Sequence, residues 1–265
     1  MKTIDSHVHM APKLIKKDIL KDLSQRDIMV CSMENEIDSF IEQMSKSEIE
    51  KAIVFGVPHK NIAASDSNLY IYEAYLKHQD LFIPFCRLDD NLEENLNKGF
   101  KGAKLHLVYE DLTIDEAGEK GYFNVLEKYD CPIIVHAEYE DKPTQIKKIL
   151  GYAPKLKIIL AHMGRYQLYT MEGVLDILEE LKDYPNVYFG TSTVGFMEAI
   201  EEGVKIVGED RIVFGSDYPF SKMWKESHNE DYSYKNEKYL IINSSLSDST
   251  KEKILYENIN NILKL

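Results

Sequence analysis

The stretch Arg211-Ile212-Val213-Phe214-Gly215-Ser216-Asp217-Tyr218-Pro219-Phe220 decides how this chain is read. Ile212, Val213 and Phe214 form a short apolar run, and Asp217 stands where such a strand should end. Near the other end of the chain, Thr3-Ile4-Asp5-Ser6-His7-Val8-His9 repeats the plan and closes on two histidines one residue apart. Side chains alternate along a strand, so His7 and His9 point the same way. The remainder reads as the scaffold that brings these two ends together.

Between them the same short apolar runs recur. They lie at 51–58, 81–88, 102–107, 132–138, 157–162 and 186–191. Helical segments separate them. Ile37, Phe40, Ile41 and Met44 recur at i, i+3, i+4 and i+7, which is one face of a helix. Further helices are expected at 67–79, with Leu69, Tyr72, Ala74 and Leu76 as core candidates, and at 91–97. Another spans 115–129, with an interruption near Gly118 and Gly121. The rest are expected at 142–150, with Pro143 in the first turn, and at 171–182, 195–207, 234–243 and 248–263. Ser247 is an N-cap candidate for the last of these.

Strands apolar on both faces are covered on both, as in parallel sheets flanked by helices. Eight βα units point to an α/β fold of the (β/α)8 TIM-barrel type. The 265 residues, 44% hydrophobic, suit a single domain spanning 1–265, since such barrels need about 250 residues. A doubly wound open sheet is the alternative, but no GxGxxG follows the first strand.

The net charge of −13 argues against broad nucleic-acid or acidic-membrane binding. It leaves an anionic small-molecule substrate open. Cys31, Cys86 and Cys131 show no metal-ligand spacing, which fits reduced thiols in a cytoplasmic protein. No run approaches the roughly 18 apolar residues of a membrane span, and the N-terminus has no apolar signal region.

Of the eight histidines, His59, His78 and His228 fall in loops or on helices. His7, His9, His106, His136 and His162 lie at or near the ends of strands one, four, five and six. In a barrel those ends open on the one face where active sites are built. A lone histidine there is ordinarily a hydrogen-bonded core residue; the ordered set carries the reading. His7, His9, His136 and Asp217 can surround one divalent cation. Three imidazoles and a carboxylate suit Zn2+, with Mn2+, Fe2+ and Co2+ as alternatives.

The motifs DSHVHM (5–10), GAKLH (102–106), PIIVHAE (132–138), ILAHMG (159–164), FGSDYPF (214–220) and ENINNIL (257–263) resemble those of the amidohydrolase superfamily. Within it they are most similar to the amidohydrolase-2 branch of decarboxylases and lactonases, across essentially the whole chain. The resemblance implies that His7, His9, His136 and Asp217 are metal ligands and that His162 stands near the metal water or the substrate. Asp217 and His162 are then the catalytic candidates: Asp217 to move a proton, His162 to hydrogen-bond the water or a developing oxyanion. The implied activity is hydrolysis of an amide, ester or lactone of a small molecule through a metal-activated water. The alternative is non-oxidative decarboxylation of a small unsaturated or aromatic acid. A barrel that only binds a ligand is the non-enzymatic rival. A homodimer is common in the family.

Substrate-binding candidates are Lys104, His106, Arg87 and Arg165. Arg165 replaces a residue the branch often has as Gly, and reads either as a carboxylate anchor or as a surface arginine. Arg87 reads as an anchor or, by preference, a structural ion-pair partner. Lys104 raises the question of a second metal, because some superfamily members carboxylate a strand-four lysine. Pairing with an inner acid is preferred, and one metal is expected. Glu138 is a candidate support for a ligand histidine. Tyr109, Tyr139, Tyr218, Phe220 and Trp224 are candidate pocket walls. Ser216 lacks a nucleophile-elbow context, so no serine hydrolase is read.

Overall fold

The structure, a computed structural model, describes residues 1–11, 36–137, 142–164, 171–222 and 233–265. Cys31, Glu138, Tyr139, Arg165, Trp224 and His228 lie outside the described residues.

The strands are β1 (Ile4–Met10), β2 (Lys51–Gly56), β3 (Phe82–Pro84), β4 (Cys86–Arg87), β5 (Ala103–His106), β6 (Ile133–His136), β7 (Ile158–Leu160), β8 (Val187–Gly190) and β9 (Ile212–Val213). All neighbouring pairs are parallel, in the orders β1-β2-β3 and β4 through β9. β3 and β4 are one stave interrupted at Phe85, whose N–H donates to Val54 O at 2.9 Å. The last stave returns to the first: Ser6 N–H donates to Phe214 O, Asp217 N–H to His7 O and His9 N–H to Tyr218 O at 2.8–2.9 Å. The sheet therefore closes as the expected (β/α)8 barrel. Asp217 differs in one detail. β9 ends at Val213, and Asp217 stands beyond it with φ 61°.

The period of two decides what fills the barrel. Along β2, Ala52 and Val54 join the core under the helices, while Ile53 and Phe55 join the barrel interior. Along β6, Ile133 and Val135 pack outward and Ile134 inward. β7 divides likewise, with Ile159 inside. The inward layer of Ile4, Ile53, Ile83, Phe85, Ile134, Ile159 and Val213 is closed by Ile259 and Ile262 of the last helix. That floor leaves the opposite ends of the staves as the mouth. On β5 the outward Ala103 and Leu105 leave Lys104 and His106 as the inward pair.

The helices are α1 (Ile37–Lys46), α2 (Ala64–Lys77), α3 (Leu92–Lys98), α4 (Ile114–Glu119), α5 (Tyr122–Lys128), α6 (Lys142–Tyr152), α7 (Met171–Leu181), α8 (Met197–Val207) and α9 (Tyr234–Ile242), followed by a terminal helix over 248–263. The predicted break in 115–129 falls at Gly121, with φ 74°. Ser247 caps the terminal helix by accepting from Thr250 N–H. One helix face needs correction. α2 buries Ser67, Asn68, Ile71 and Ala74, while Leu69 and Leu76 are exposed. Small residues face the barrel there because Ser67 packs directly on Gly56, leaving no room even for a Cβ at that glycine. Among the described residues no helix is long and apolar enough to cross a membrane.

Candidate active site

β1 and the segment after β9 bring His7, His9 and Asp217 to one point. His7 Nε2 and His9 Nε2 stand 3.3 and 3.2 Å from Asp217 Oδ1. The three side chains are buried, and their candidate ligand atoms all lie within 4.8 Å of one another. The backbone fixes this meeting. Asp5 Oδ1 accepts from His7 N–H and Ser216 N–H at 3.0 Å each, tying both ligand segments to one carboxylate. Tyr234 OH donates to Asp5 Oδ2 at 2.6 Å. β1 shifts register between Asp5 and Val8, beside the histidines.

Three further imidazoles extend away from the triad. The His7 ring centroid lies 5.2 Å from that of His162, and His162 lies 4.7 Å from His136. His136 stacks on His106 at 4.0 Å, and Tyr109 covers His106 at 4.6 Å. Phe55 meets His7 and His9 edge-on, and Phe220 meets His9 the same way. Phe220 and Tyr109 thus wall the mouth as expected. Tyr218 packs instead between Phe40 and Tyr234 in the core.

His162 sits in a tight turn just past β7, with φ 60°. Its Nδ1 lies 2.9 Å from Ser192 O, and its Nε2 lies 3.0 Å from His136 Nδ1. A carbonyl only accepts, so His162 carries its proton on Nδ1 when neutral. Nε2 then accepts from His136 Nδ1–H, which leaves the lone pair of His136 on Nε2. The sequence reading put His136 in the ligand set. The structure groups His7, His9 and Asp217 and leaves His136 outside that group, joined to it through His162, whose ring contacts both His136 and His7.

The electrostatics favour metal-competent forms. Burial lowers His7, His106 and His136 well below the usual histidine range, and Lys104 and the neighbouring imidazoles push the same way. Burial also lowers His9, partly offset by Asp217. Neutral imidazoles are the ligating form. Burial works to raise Asp217, but His162, His9 and Lys104 outweigh it, so its carboxyl lies below the usual range. His7 Nε2 is buried with no hydrogen-bond partner and faces a carboxylate oxygen at 3.3 Å. An orphaned ring nitrogen beside a carboxylate fits the donor set of a divalent transition metal.

The other candidates separate. Arg87 commits its guanidinium to the protein: Nε to Glu110 Oε1 at 2.6 Å, Nη1 to Ile62 O and Ser67 Oγ, and Nη2 to His59 O. The geometry supports the structural of its two roles. Lys104 is fully buried with no hydrogen-bond acceptor among the described residues, and burial pushes its ammonium down to about 7 against the pull of Asp217 and Glu110. The inner acid expected to pair with it does not. Glu110 escaped the sequence reading. It accepts from Arg87 on one oxygen and from His106 N–H on the other, at 2.9 Å. A glutamate four residues past a strand-end histidine gives no signal until the turn is folded. Asp5 was in plain view in DSHVHM, but its task appears only when strands one and eight meet.

A family model described as amidohydrolase matches residues 4–265. Among known proteins the chain is similar to the gamma-resorcylate decarboxylase of Polaromonas sp. strain JS666, at 28% identity over 126 residues. That match covers 42% of this chain and 35% of the relative, about a third of its length. Solved structures share the fold, two among them at nearly full coverage of both chains. One is 5-carboxyvanillate decarboxylase from Novosphingobium aromaticivorans, complexed with manganese and 4-hydroxy-3-methoxy-5-nitrobenzoic acid, with 18% identity, TM-score 0.75, and 100% and 96% of the two chains covered. The other is a provisionally assigned 2-pyrone-4,6-dicarboxylic acid hydrolase from Pseudomonas putida, with 15% identity, TM-score 0.78, and 99% and 97% covered. The sequence match runs from β1 to the final helix, through every strand that contributes to the mouth, and the chain belongs to the amidohydrolase family.

Proposed function

We propose that this chain is a metal-dependent, non-oxidative decarboxylase of a small carboxylic acid. The observation that carries the reading is the buried His7–His9–Asp217 triad at the barrel mouth. The sequence expectation placed hydrolysis first; the decarboxylating relatives reverse that order. His7, His9 and Asp217 would hold one divalent ion, with His136 as the fourth ligand. Imidazole and carboxylate donors accept Zn2+ and Mn2+ alike, and the manganese of the 5-carboxyvanillate decarboxylase makes Mn2+ the first ion to test. When bound, such an ion supplies Lewis acidity to a substrate oxygen.

The chain's own groups do the rest. Asp217, ionised at neutral pH, takes a proton from the arriving substrate and returns it to the carbon that loses CO2. The C–C bond breaks, its electron pair stays on that carbon, and the proton fills the position. His162 acts through His136, fixing that ring by the 3.0 Å hydrogen bond. Phe220 and Tyr109 keep water from the mouth. A cytoplasmic setting fits the spacing of the cysteines.

Hydrolysis is the second reading, favoured by the likeness to the Pseudomonas structure. The experiment measures metal content, then screens hydroxybenzoic and unsaturated acids, esters and lactones with the loaded protein in D2O. About one Mn2+ or Zn2+ per chain, absent from His7→Ala and Asp217→Ala, with CO2 release and deuterium on the vacated carbon, is the expected result. A new carboxylic acid without CO2 would establish hydrolysis instead. No metal uptake by folded protein overturns both.

A further inference from the structure

Among the described residues, Lys104 differs from the other buried basic side chains near the triad. Arg87 gives every guanidinium nitrogen to the protein. Lys142 Nζ donates to Gly164 O at 2.9 Å. Lys104, by contrast, has no exposed surface, and its Nζ meets no hydrogen-bond acceptor among the described residues. Its Nζ lies 5.2 Å from the centroid of the Phe55 ring. That same ring stands 5.1 and 4.7 Å from His7 and His9, so the ammonium lies in the layer of the metal triad.

A buried ammonium without an acceptor costs stability. Such a group persists where an incoming ligand completes it. Two acids act on Lys104 through their charge, Asp217 and Glu110. Neither satisfies it. Glu110 Oε1 is taken by Arg87 Nε at 2.6 Å, and Oε2 by His106 N–H at 2.9 Å. Asp217 belongs to the triad. Arg87 and the His106 backbone therefore occupy both oxygens of Glu110, one of the two acids whose charge reaches the lysine.

We propose that Lys104 is the anion-binding group of this site: its ammonium takes one oxygen of a small organic carboxylate, and Arg87 and Glu110 are the positioning residues that keep it unneutralised. The assignment rests on the reading of the mouth as a metal-dependent centre and adds the charge of the substrate and the group that meets it. A preorganised cation in a water-excluded site binds an anion without paying for reorganisation.

The test is calorimetric titration of benzoate into wild-type protein and Lys104→Met, each metal-loaded and metal-free. Methionine keeps the stem and removes the charge. The expected result is at least about tenfold weaker benzoate binding in the variant in both states, unchanged metal content, and a higher thermal midpoint. A lysine kept for structure alone would lower that midpoint when replaced. Affinities within about twofold of each other, a lowered midpoint, or wild-type protein that binds no benzoate would overturn the proposal. Lys104→Gln repeats the titration should the methionine variant not fold. Failure to load metal would sink the metal-dependent reading alone, because the metal-free titrations still decide Lys104.

Discussion

Glu110 shows how much one buried carboxylate can organise. One oxygen holds Arg87 and the other holds the backbone of His106, with the side chains of the pair only 4% and 8% exposed. Arg87 in turn reaches the loop after β2 at His59 and Ile62. Removing one partner of such a pair strands the other charge. Arg87→Met should therefore lose about 3–5 kcal/mol of stability, read as a lower urea midpoint with an unchanged slope. The double variant Arg87→Met/Glu110→Gln should lose less than the sum of the single changes. A surface pair such as Lys128–Glu93 should show no comparable effect on replacement. The histidines on β1, β5 and β6 were legible residue by residue, because period two and motif order both constrain them, whereas His162 and Asp217 stand past the strands they were expected to close. Arg87 was legible only as a choice between two roles. Its partner lies 23 positions away in a loop, and no local pattern links them.

The turn after β7 is the element on which the histidine cluster depends. His162, Met163 and Gly164 take φ of 60°, 48° and 73° in succession. Two of the three are not glycine, and the left-handed region disfavours them. Packing holds them there: Met163 is fully buried, and a Cβ on Gly164 would lie 2.8 Å from Ile177 Cγ2 and 2.9 Å from Leu160 Cδ2. Gly164→Ala should cost more than the roughly 1 kcal/mol of an ordinary glycine replacement. Because the turn carries His162, the variant should also bind metal more weakly at temperatures where it remains folded. Thermal melting and metal titration of the same sample check both. ILAHMG was readable as a strand ending on a histidine. Its left-handed run was not, since methionine at positive φ is imposed by tertiary contacts. The face of α2 failed for a related reason: hydrophobicity pointed to Leu69 and Leu76, but close approach to Gly56 selects small Ser67 and Ala74.

At the scale of the whole molecule, the barrel has a floor and a mouth that answer to different residues. Ile259 and Ile262 seal the floor against the inward layer of the strands. Ile259→Ala should cost about 2–5 kcal/mol while leaving activity per folded molecule unchanged, because the substitution lies at the end remote from the histidines. Denaturation and kinetics on the same preparation separate the two effects. Eight apolar runs made the barrel legible, since each run has to be covered on both faces. The split of the third stave at Phe85 and the early end of β9 were not, because strand ends depend on neighbours the sequence does not name. The closure of first stave on last has a further consequence. The hydrogen bond from Ser216 to Asp5 spans 211 positions. A chain emerging from the ribosome therefore displays His7 and His9 long before Asp217 exists. Until the eighth stave is made, the two histidines lack the carboxylate that completes their triad, so the buried cluster exists as a unit only once nearly the whole chain has been synthesised.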